Sequence, residues 1–296
     1  MSDSDAVAGL VVVDKPPGMT SHDVVARIRR LVGTRKVGHA GTLDPMATGV
    51  LLVGVNRATR LLGQLQLTDK LYDATIRLGA STTTDDVEGV VLATTPAAHL
   101  DEQSIHDALG GLVGEIDQVP SSVSAIKVDG RRSYERVRAG ERVELAARRV
   151  RVESIEVHEI SRDAATEATD LSVSVCCSTG TYIRSIARDL GAQLGVGGHL
   201  TSLRRTRVGP FALDEAHTLT ALSEQVEVVP MAEVARRSFT SFDLDEAQAG
   251  DVRVGRKLAL DLGHAGPVAV FAPDGHFLAL YEQQGELARA VAVFTG

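Results

Sequence analysis

Cysteines and long apolar runs are both scarce in this chain of 296 residues. The only two cysteines, Cys176 and Cys177, are adjacent. A strand would place them on opposite faces, so they suit neither a disulfide framework nor a metal site, and we expect them in or near the core. The start, MSDSDAVAGLVVVDKPPG, has acids before an apolar run of about five residues, which excludes a signal peptide or a membrane span. We therefore expect a cytoplasmic protein without membrane contact.

The bulk composition is that of a globular protein. Apolar residues make up 44% and charged residues 24% of the chain, enough to build a sizeable core. The length favours a large domain plus a small one. After GPF at 209–211 the sequence becomes acidic and mostly helical in pattern, and from 250 onward VRVGRKLAL, GPVAVFAPDGHFLALYE and ARAVAVF predict strands separated by glycine turns. These patterns predict a domain of residues 1–240 and a β module of residues 241–296.

Positive charge is concentrated locally, although the net charge is -8. Between Asp23 and Asp44 there is no acid, whereas that stretch holds Arg27, Arg29, Arg30, Arg35, Lys36 and His39. Further basic clusters lie at 131–138, 148–151 and 204–207. Each cluster alone could be a solvated face, but four together favour local binding of a phosphate backbone.

Local periodicity predicts the following elements. LVVV predicts a short buried strand. Thr20 and Asp23 predict a capping box that starts a helix, and Gly33 is placed to end that helix. KLYDATIRLG alternates like a half-buried strand, and helical spacing occurs in residues 101–114 and in STGTYIRSIARDLGAQLG. VPSSVSAIKVDGRRSYERVRAG predicts a loop, a short strand that turns at Asp129–Gly130, and a short basic helix.

Asp44 is the one carboxylate of GHAGTLDPMATG. An Asp-Pro pair is commonly a structural turn, and the dipeptide alone favours that interpretation. The small residues around it, however, permit close approach of another molecule, and the basic flank offers an anion a place to dock. The stretch is therefore a candidate catalytic loop.

Six segments of the chain, taken in order, are DKPPGMTSHDVV, GHAGTLDPMATGVLLVGVNRATR, KLY with LG beyond it, VPSSVSAIKVDGRRSYERVRAG, GTYIRSIARDLG and GHLTSLRRTRVGPF. They resemble segments of the bacterial tRNA pseudouridine-55 synthases, the TruB family. The resemblance is strong over residues 9–211 and weaker beyond, where the family usually ends in a PUA-type RNA-binding domain. It implies a mixed α/β (α+β) fold with an extended, mainly antiparallel sheet and a small PUA-like C-terminal β module.

The resemblance implies that Asp44 is the nucleophile that isomerises uridine 55 in the T-loop of tRNA. An aspartate is ionised at neutral pH and needs no activating base, but under a nucleobase it loses water and requires a cation. Arg184 matches the arginine that the family pairs with this aspartate. Tyr72 matches a tyrosine that stacks on the target base; without the resemblance we would interpret it as a core residue, and its phenol would be a poor base.

The remaining implied contacts are with RNA. The target base must leave its stack, and His39 matches the histidine that fills the gap. Leu203 resembles an apolar pocket residue. We interpret Asp85 and Asp86 as a solvated acidic turn, and expect no metal, no cofactor, no protein partner and a monomer that binds the tRNA T-arm stem-loop. The expected phosphate contacts are Lys15, Arg35, Lys36, Lys70, Lys127, Arg131, Arg204 and Arg205.

Two other functions remain open from the sequence. One is a related pseudouridine synthase acting on ribosomal RNA, although those families usually have arginine where Thr42 stands here and lack HLTSLRRTRVG. The other is an RNA-binding factor that folds tRNA without catalysis. Intact Asp44, Tyr72 and Arg184 disfavour folding as the sole activity.

Overall fold

A computed structural model describes residues 8–121, 127–128, 131–132 and 145–294, with the backbone alone at 127–128 and 131–132. The strands in chain order are β1 Gly9–Lys15, β2 Val37–Ala40, β3 Thr48–Val55, β4 Lys70–Leu78, β5 Ala80–Thr82, β6 Val91–Thr94, β7 Gly114–Gln118, β8 Lys127–Val128, β9 Arg131–Arg132, β10 Arg148–Asp163, β11 Ala168–Cys177, β12 Gly198–Val208, β13 Phe211–Ala212, β14 His217–Thr218, β15 Val229–Pro230, β16 Thr240–Asp243, β17 Val268–Phe271, β18 Phe277–Gln284 and β19 Leu287–Val293. The α-helices are α1 Ser21–Val32, α2 Leu62–Leu65, α3 Glu102–Gly110, α4 Ile183–Gln193, α5 Leu219–Glu224, α6 Met231–Ser238 and α7 Glu246–Arg253, and two 3-10 helices span Asn56–Arg60 and Leu213–Glu215.

The chain divides into two compact units, each formed by separate stretches. The first contains residues 1–43, 50–66 and 209–296, and the second contains residues 44–49 and 67–208. A domain boundary after residue 240 stays a prediction. Among the described residues, no helix is both long and apolar enough to cross a membrane.

In the first unit, the buried strand β1 lies between β14 and β3, parallel to β14, and also pairs antiparallel with β15. Helix α1 starts as predicted, because Thr20 Oγ1 accepts from the Asp23 backbone N–H at 3.1 Å and the Asp23 carboxylate accepts from Thr20 N–H at 2.9 Å. Gly33 ends the helix with φ 67°, a left-handed conformation that suits glycine. Strand β2 pairs antiparallel with β3.

The C-terminal residues form a separate four-stranded sheet in the order β16-β17-β18-β19. Its strands are antiparallel except β16 with β17. Ala249 and Val252 of α7 belong to the same buried cluster as Val268, Val270 and Tyr281. The expected C-terminal β module is confirmed, while its likeness to a PUA domain stays a prediction.

Two expectations for this part of the chain were wrong. VRVGRKLAL is not a strand, because a capping box at Asp245 starts α7, which runs to Arg253, and Gly255 follows at φ 75°. Its buried Leu258 makes only an isolated bridge to Ala288. Residues 212–250 are also less helical than expected, since short strands separate the three helices there.

The second unit contains an antiparallel sheet in the order β12-β4-β11-β10-β7. Strand β4 lies between β12 and β11, and its alternating burial confirms the predicted half-buried strand. Cys176 is partly buried and Cys177 is buried, both as free thiols, as expected. Together with the C-terminal module, this sheet confirms the mixed α/β fold class.

Two short stretches complete this unit. Lys127–Val128 pairs antiparallel with Arg131–Arg132, and the predicted turn at Asp129–Gly130 lies outside the described residues. The predicted basic helix beyond it lies outside the described residues. Thr48 and Gly49 pair in parallel with Arg204 and Arg205. This ladder ties the loop that carries Asp44 to the sheet.

Candidate active site

Asp44 is the first residue of 44–49, the stretch of the second unit whose last two residues pair with β12. Its carbonyl accepts from the Ala47 backbone N–H at 3.1 Å, which closes a turn after Pro45. Gly49 completes the segment at φ 97°, where an added Cβ would lie 2.2 Å from the Arg205 carbonyl oxygen. Only glycine permits this approach of the two backbones. The Asp44 side chain is 35% exposed, so it remains within reach of a ligand.

Arg184 stands in the first turn of α4 and points into the protein. Its Nε lies 2.9 Å from Asp44 Oδ2, and its side chain is only 3% exposed. A guanidinium stays charged when it is buried, whereas lysine loses its proton more readily. The structure therefore brings together the two residues expected to form the ion pair, with the cation as the buried partner.

Three further groups hold the Arg184 guanidinium. Its Nη1 donates to the Thr84 carbonyl at 2.8 Å and to Ser121 Oγ at 3.2 Å. The same nitrogen lies 3.5 Å from Asp86 Oδ2. These contacts orient the fork so that its Nε faces Asp44.

The expectation that Asp85 and Asp86 form a solvated turn was wrong. The Asp86 side chain is 4% exposed. Its Oδ1 accepts from the Thr84 hydroxyl and, at 3.0 Å, from the Glu88 backbone N–H. A carboxylate can be buried when hydrogen bonds and an opposite charge satisfy it, and Arg184 supplies that charge.

Tyr72 lies on β4 opposite Val175 of β11 and Arg205 of β12. Burial raises the pKa of its phenol; a hydrogen bond and positive charge from Arg205 oppose this, and the negative charge of Asp44 adds to it. The phenol is therefore held in its protonated form. This state is compatible with stacking on a base and disfavours proton abstraction.

Several residues expected to contact phosphate are buried instead. Lys15 and Arg205 are at most 1% exposed and Lys70 is 5% exposed. Burial lowers the pKa of Lys70 to about 8, with Arg205 contributing repulsion. Side chains buried to this extent offer almost no surface to an RNA backbone, which argues against phosphate contacts at these three positions. Sequence position alone did not distinguish them from surface cations.

The remaining expected residues are distributed as follows. Leu203 is buried on β12, and the neighbouring Arg204 is partly exposed and donates to Thr48 Oγ1 at 3.2 Å. In the first unit Arg35 and Lys36 are exposed, and the ring of His39 lies edge-on to His22 with centroids 5.4 Å apart. The side chains of Lys127 and Arg131 lie outside the described residues.

Sequence reasoning missed the contributions of Thr84, Asp86 and Ser121 to the site. The only available signals were the motifs that contain them, TTTDDVEG and VPSSVSAIK, which give no pairing. Among the described residues, no group of three or more His, Cys, Asp or Glu side chains is arranged to hold a metal ion. The arrangement can present one partly exposed carboxylate, paired with a buried cation, to a ligand.

Solved structures identify the fold. A structure described as an H/ACA RNP bound to a substrate RNA containing 2'-deoxyuridine matches 97% of this chain and 85% of its own, with 27% identity and a TM-score of 0.72. A Cbf5-Nop10-Gar1 complex matches with 28% identity over 97% of this chain and 84% of its own, also at a TM-score of 0.72. The fold is thus shared with proteins of an RNA-binding assembly.

Sequence comparisons then define the family. The model "TruB family pseudouridylate synthase (N terminal domain)" matches residues 29–183. Two more cover residues 184–238, as "tRNA pseudouridylate synthase B C-terminal domain", and 239–295, as "tRNA Pseudouridine synthase II, C terminal". The chain belongs to the TruB family of pseudouridylate synthases and is an isomerase.

Curated relatives match along nearly the whole chain. The tRNA pseudouridine synthase B of Thermobifida fusca (strain YX) is 56% identical over 290 residues, covering 97% of this chain and 99% of that protein. The proteins of that name from Mycobacterium sp. (strain KMS) and Arthrobacter sp. (strain FB24) are 56% and 54% identical, covering 99% and 97% of this chain and 98% and 97% of their own lengths.

Proposed function

We propose that this protein isomerises uridine 55 in the T-loop of tRNA to pseudouridine, with Asp44 as the nucleophile. The relatives named tRNA pseudouridine synthase B support tRNA as the substrate. The resemblance of the catalytic loop to the pseudouridine-55 synthases supports the position. The protein acts as a cytoplasmic monomer on the T-arm stem-loop, without metal or cofactor.

The observation that carries this proposal is the pair between Asp44 and Arg184. The pair is asymmetric, because the Arg184 side chain is 3% exposed and the Asp44 side chain 35% exposed. A ligand entering the site meets the acid, while the cation behind it keeps the acid ionised as water leaves. An ion pair with a purely structural role would not require one side chain to be more exposed to solvent than the other.

The proposed reaction is balanced without a second substrate. The bond from C1′ of the ribose to N1 of uracil breaks, and a bond from C1′ to C5 forms. The C5 hydrogen leaves as a proton, and N1 gains a proton. Asp44 supplies the electron pair that starts the exchange and is regenerated when it ends.

Other residues bind the RNA in this proposal. Tyr72 stacks on the extruded uracil and Leu203 lines its pocket. His39 fills the gap left in the loop, as aromatic side chains stack on RNA bases. Arg35, Lys36 and Arg204, which are exposed or partly exposed, contact phosphates.

The test uses tRNA transcript carrying tritium at C5 of uridine. Wild-type protein should release tritium from this transcript and none beyond background from one with cytidine at position 55. Asp44→Asn should release none and still bind tRNA, because the amide keeps the shape and loses the charge. Release by Asp44→Asn would refute the nucleophile, and release that ignores position 55 would refute the site specificity. Binding and refolding of tRNA without any release would favour the folding-factor alternative.

A further inference from the structure

Arg188 lies one helical turn after Arg184 on α4, so the two side chains project from neighbouring positions of one face. The Nη2 of Arg188 donates to the Val119 carbonyl at 2.8 Å. Its Nη1 lies 3.5 Å from Asp85 Oδ2, and its Nε donates to Asp189 at 2.8 Å. The Arg188 side chain is 28% exposed, and its ion pairs are with Asp85 and Asp189.

The two arginines hold consecutive residues of one turn. Arg184 contacts the Thr84 carbonyl and the Asp86 carboxylate, and Arg188 contacts Asp85 between them. Asp85 has φ 59°, a left-handed conformation that is uncommon outside glycine. Such a conformation persists when surrounding contacts enforce it. Here the Leu200 backbone N–H donates to the Asp85 carbonyl at 3.1 Å, and Arg188 holds the side chain.

Both arginines also contact a second segment, residues 119–121. Arg188 binds the Val119 carbonyl, and Arg184 binds Ser121 Oγ. Ser121 Oγ in turn donates to the Thr84 carbonyl at 3.2 Å. The helix, the turn and the segment at 119–121 therefore form one closed network around the guanidinium of Arg184.

Asp85 depends on this network for its charge. Burial raises the pKa of its carboxyl, whereas the nearby Ser121 hydroxyl and the positive charges of Arg188 and Arg184 lower it. Loss of Arg188 removes a main source of stabilisation for the ionised side chain. The turn that carries Asp85 would then be free to shift, and both contacts of Arg184 on either side of it would shift too.

We propose that Arg188 is a positioning residue, which with Asp85 fixes the turn at 84–86 and thereby sets the Arg184 guanidinium against Asp44. The inference rests on the proposed function for its effect on rate, but the geometry of Arg184 can be measured without any reaction. An ordinary partly exposed ion pair would contribute a little stability and leave the reaction unchanged.

The first test measures tritium release in a single turnover at saturating tRNA. Arg188→Met should lower the rate constant about tenfold, because small displacements of catalytic groups are costly, while tRNA affinity stays within about twofold. In an Arg184→Lys background the same substitution should have little further effect, because Arg188 acts through Arg184. Equal fold-losses in both backgrounds, or no loss in either, would overturn the proposal.

The matched control is Arg77→Met. Arg77 pairs with Asp170 at 2.6 Å in the same unit, at side-chain exposures of 37% and 25%. This variant loses a closer, two-contact ion pair that is also partly exposed, and it should keep the wild-type rate. If it slows release as much as Arg188→Met does, a general loss of stability explains both effects and the positioning role is wrong.

The second test is independent of activity. In protein labelled with nitrogen-15 arginine, the Nε–H signal that disappears in Arg184→Lys belongs to Arg184. Its hydrogen exchange should become about tenfold faster in Arg188→Met and stay unchanged in Arg77→Met. If wild-type protein releases no tritium, the proposed function fails, and this exchange rate still decides the inference. Should Arg188→Met not fold, Asp85→Asn provides the same comparison with the side-chain shape preserved, and an unchanged exchange rate there would overturn the proposal.

Discussion

Replacing Arg184 by methionine removes the buried cation of the site and keeps an unbranched apolar stem. Two carboxylates, Asp44 and Asp86, then lose their shared partner. We expect a large loss of catalytic rate together with a loss of stability, and the two effects have different magnitudes because the acids differ in burial.

The effect on rate follows from the pair with Asp44. Unit charges about 4 Å apart attract by about 4 kcal/mol at an effective dielectric constant of about 20. The Asp44 side chain is 35% exposed, so water screens part of this attraction. A loss of about 2–3 kcal/mol corresponds to a rate reduction of roughly 30- to 150-fold. Asp86 is 4% exposed, and breaking a buried pair costs about 3–5 kcal/mol of unfolding free energy.

The assay is single-turnover tritium release at a temperature where thermal unfolding shows the variant to be folded. Arg184→Lys is the companion variant, since it keeps the charge and loses the planar fork; its rate should lie between those of wild type and Arg184→Met. An Arg184→Met protein that is folded and within about twofold of the wild-type rate would refute the argument from the ion pair.

Three further outcomes are expected. Tyr72→Phe should bind tRNA within about twofold of wild type and keep the same dependence of rate on pH, because burial already holds the phenol protonated; a lost inflection in the rate profile would contradict this. The pKa of Lys70 is lowered from 10.5 to about 8, so between these pH values the unfolded chain holds a proton that the folded protein lacks. The unfolding free energy of wild type relative to Lys70→Met should therefore rise as the pH goes from about 8 to 10.5 in denaturant titrations. A difference that does not change with pH would contradict the assignment. Gly49→Ala should lower the melting temperature much more than Gly33→Ala, because its Cβ would meet the Arg205 backbone at 2.2 Å whereas the position of Gly33 is open; equal shifts would exclude the close approach.

Much of the local structure could be predicted from the sequence where one physical rule dominates. The capping box at Thr20 and the glycine at 33 delimit α1, and the alternation along KLYDATIRL marks β4. In residues 212–250 no single rule dominates, and short strands that pair with distant segments interrupt the helical pattern. Strands of two residues, such as His217–Thr218, leave no periodicity to detect.

The site could be predicted only in part for a related reason. Asp44, Arg184 and Tyr72 were found through a family resemblance, and the structure brings Asp44 and Arg184 within 2.9 Å. From the sequence Asp86 is one more acid in a polar turn, because its burial depends on Arg184, a partner far along the chain. Likewise Lys70 and Arg205 carry the charges of surface residues, and only the packing of β4 against β12 shows that they are buried.

The depth of Arg184 has a consequence for the order of events. Four protein groups already fix its guanidinium before any RNA arrives. The charged centre is therefore preorganised, and binding energy from the tRNA is left for extracting the uridine from its stack. Substrates that differ only in how easily that base comes out should then differ in turnover, even when their contacts with the protein are the same.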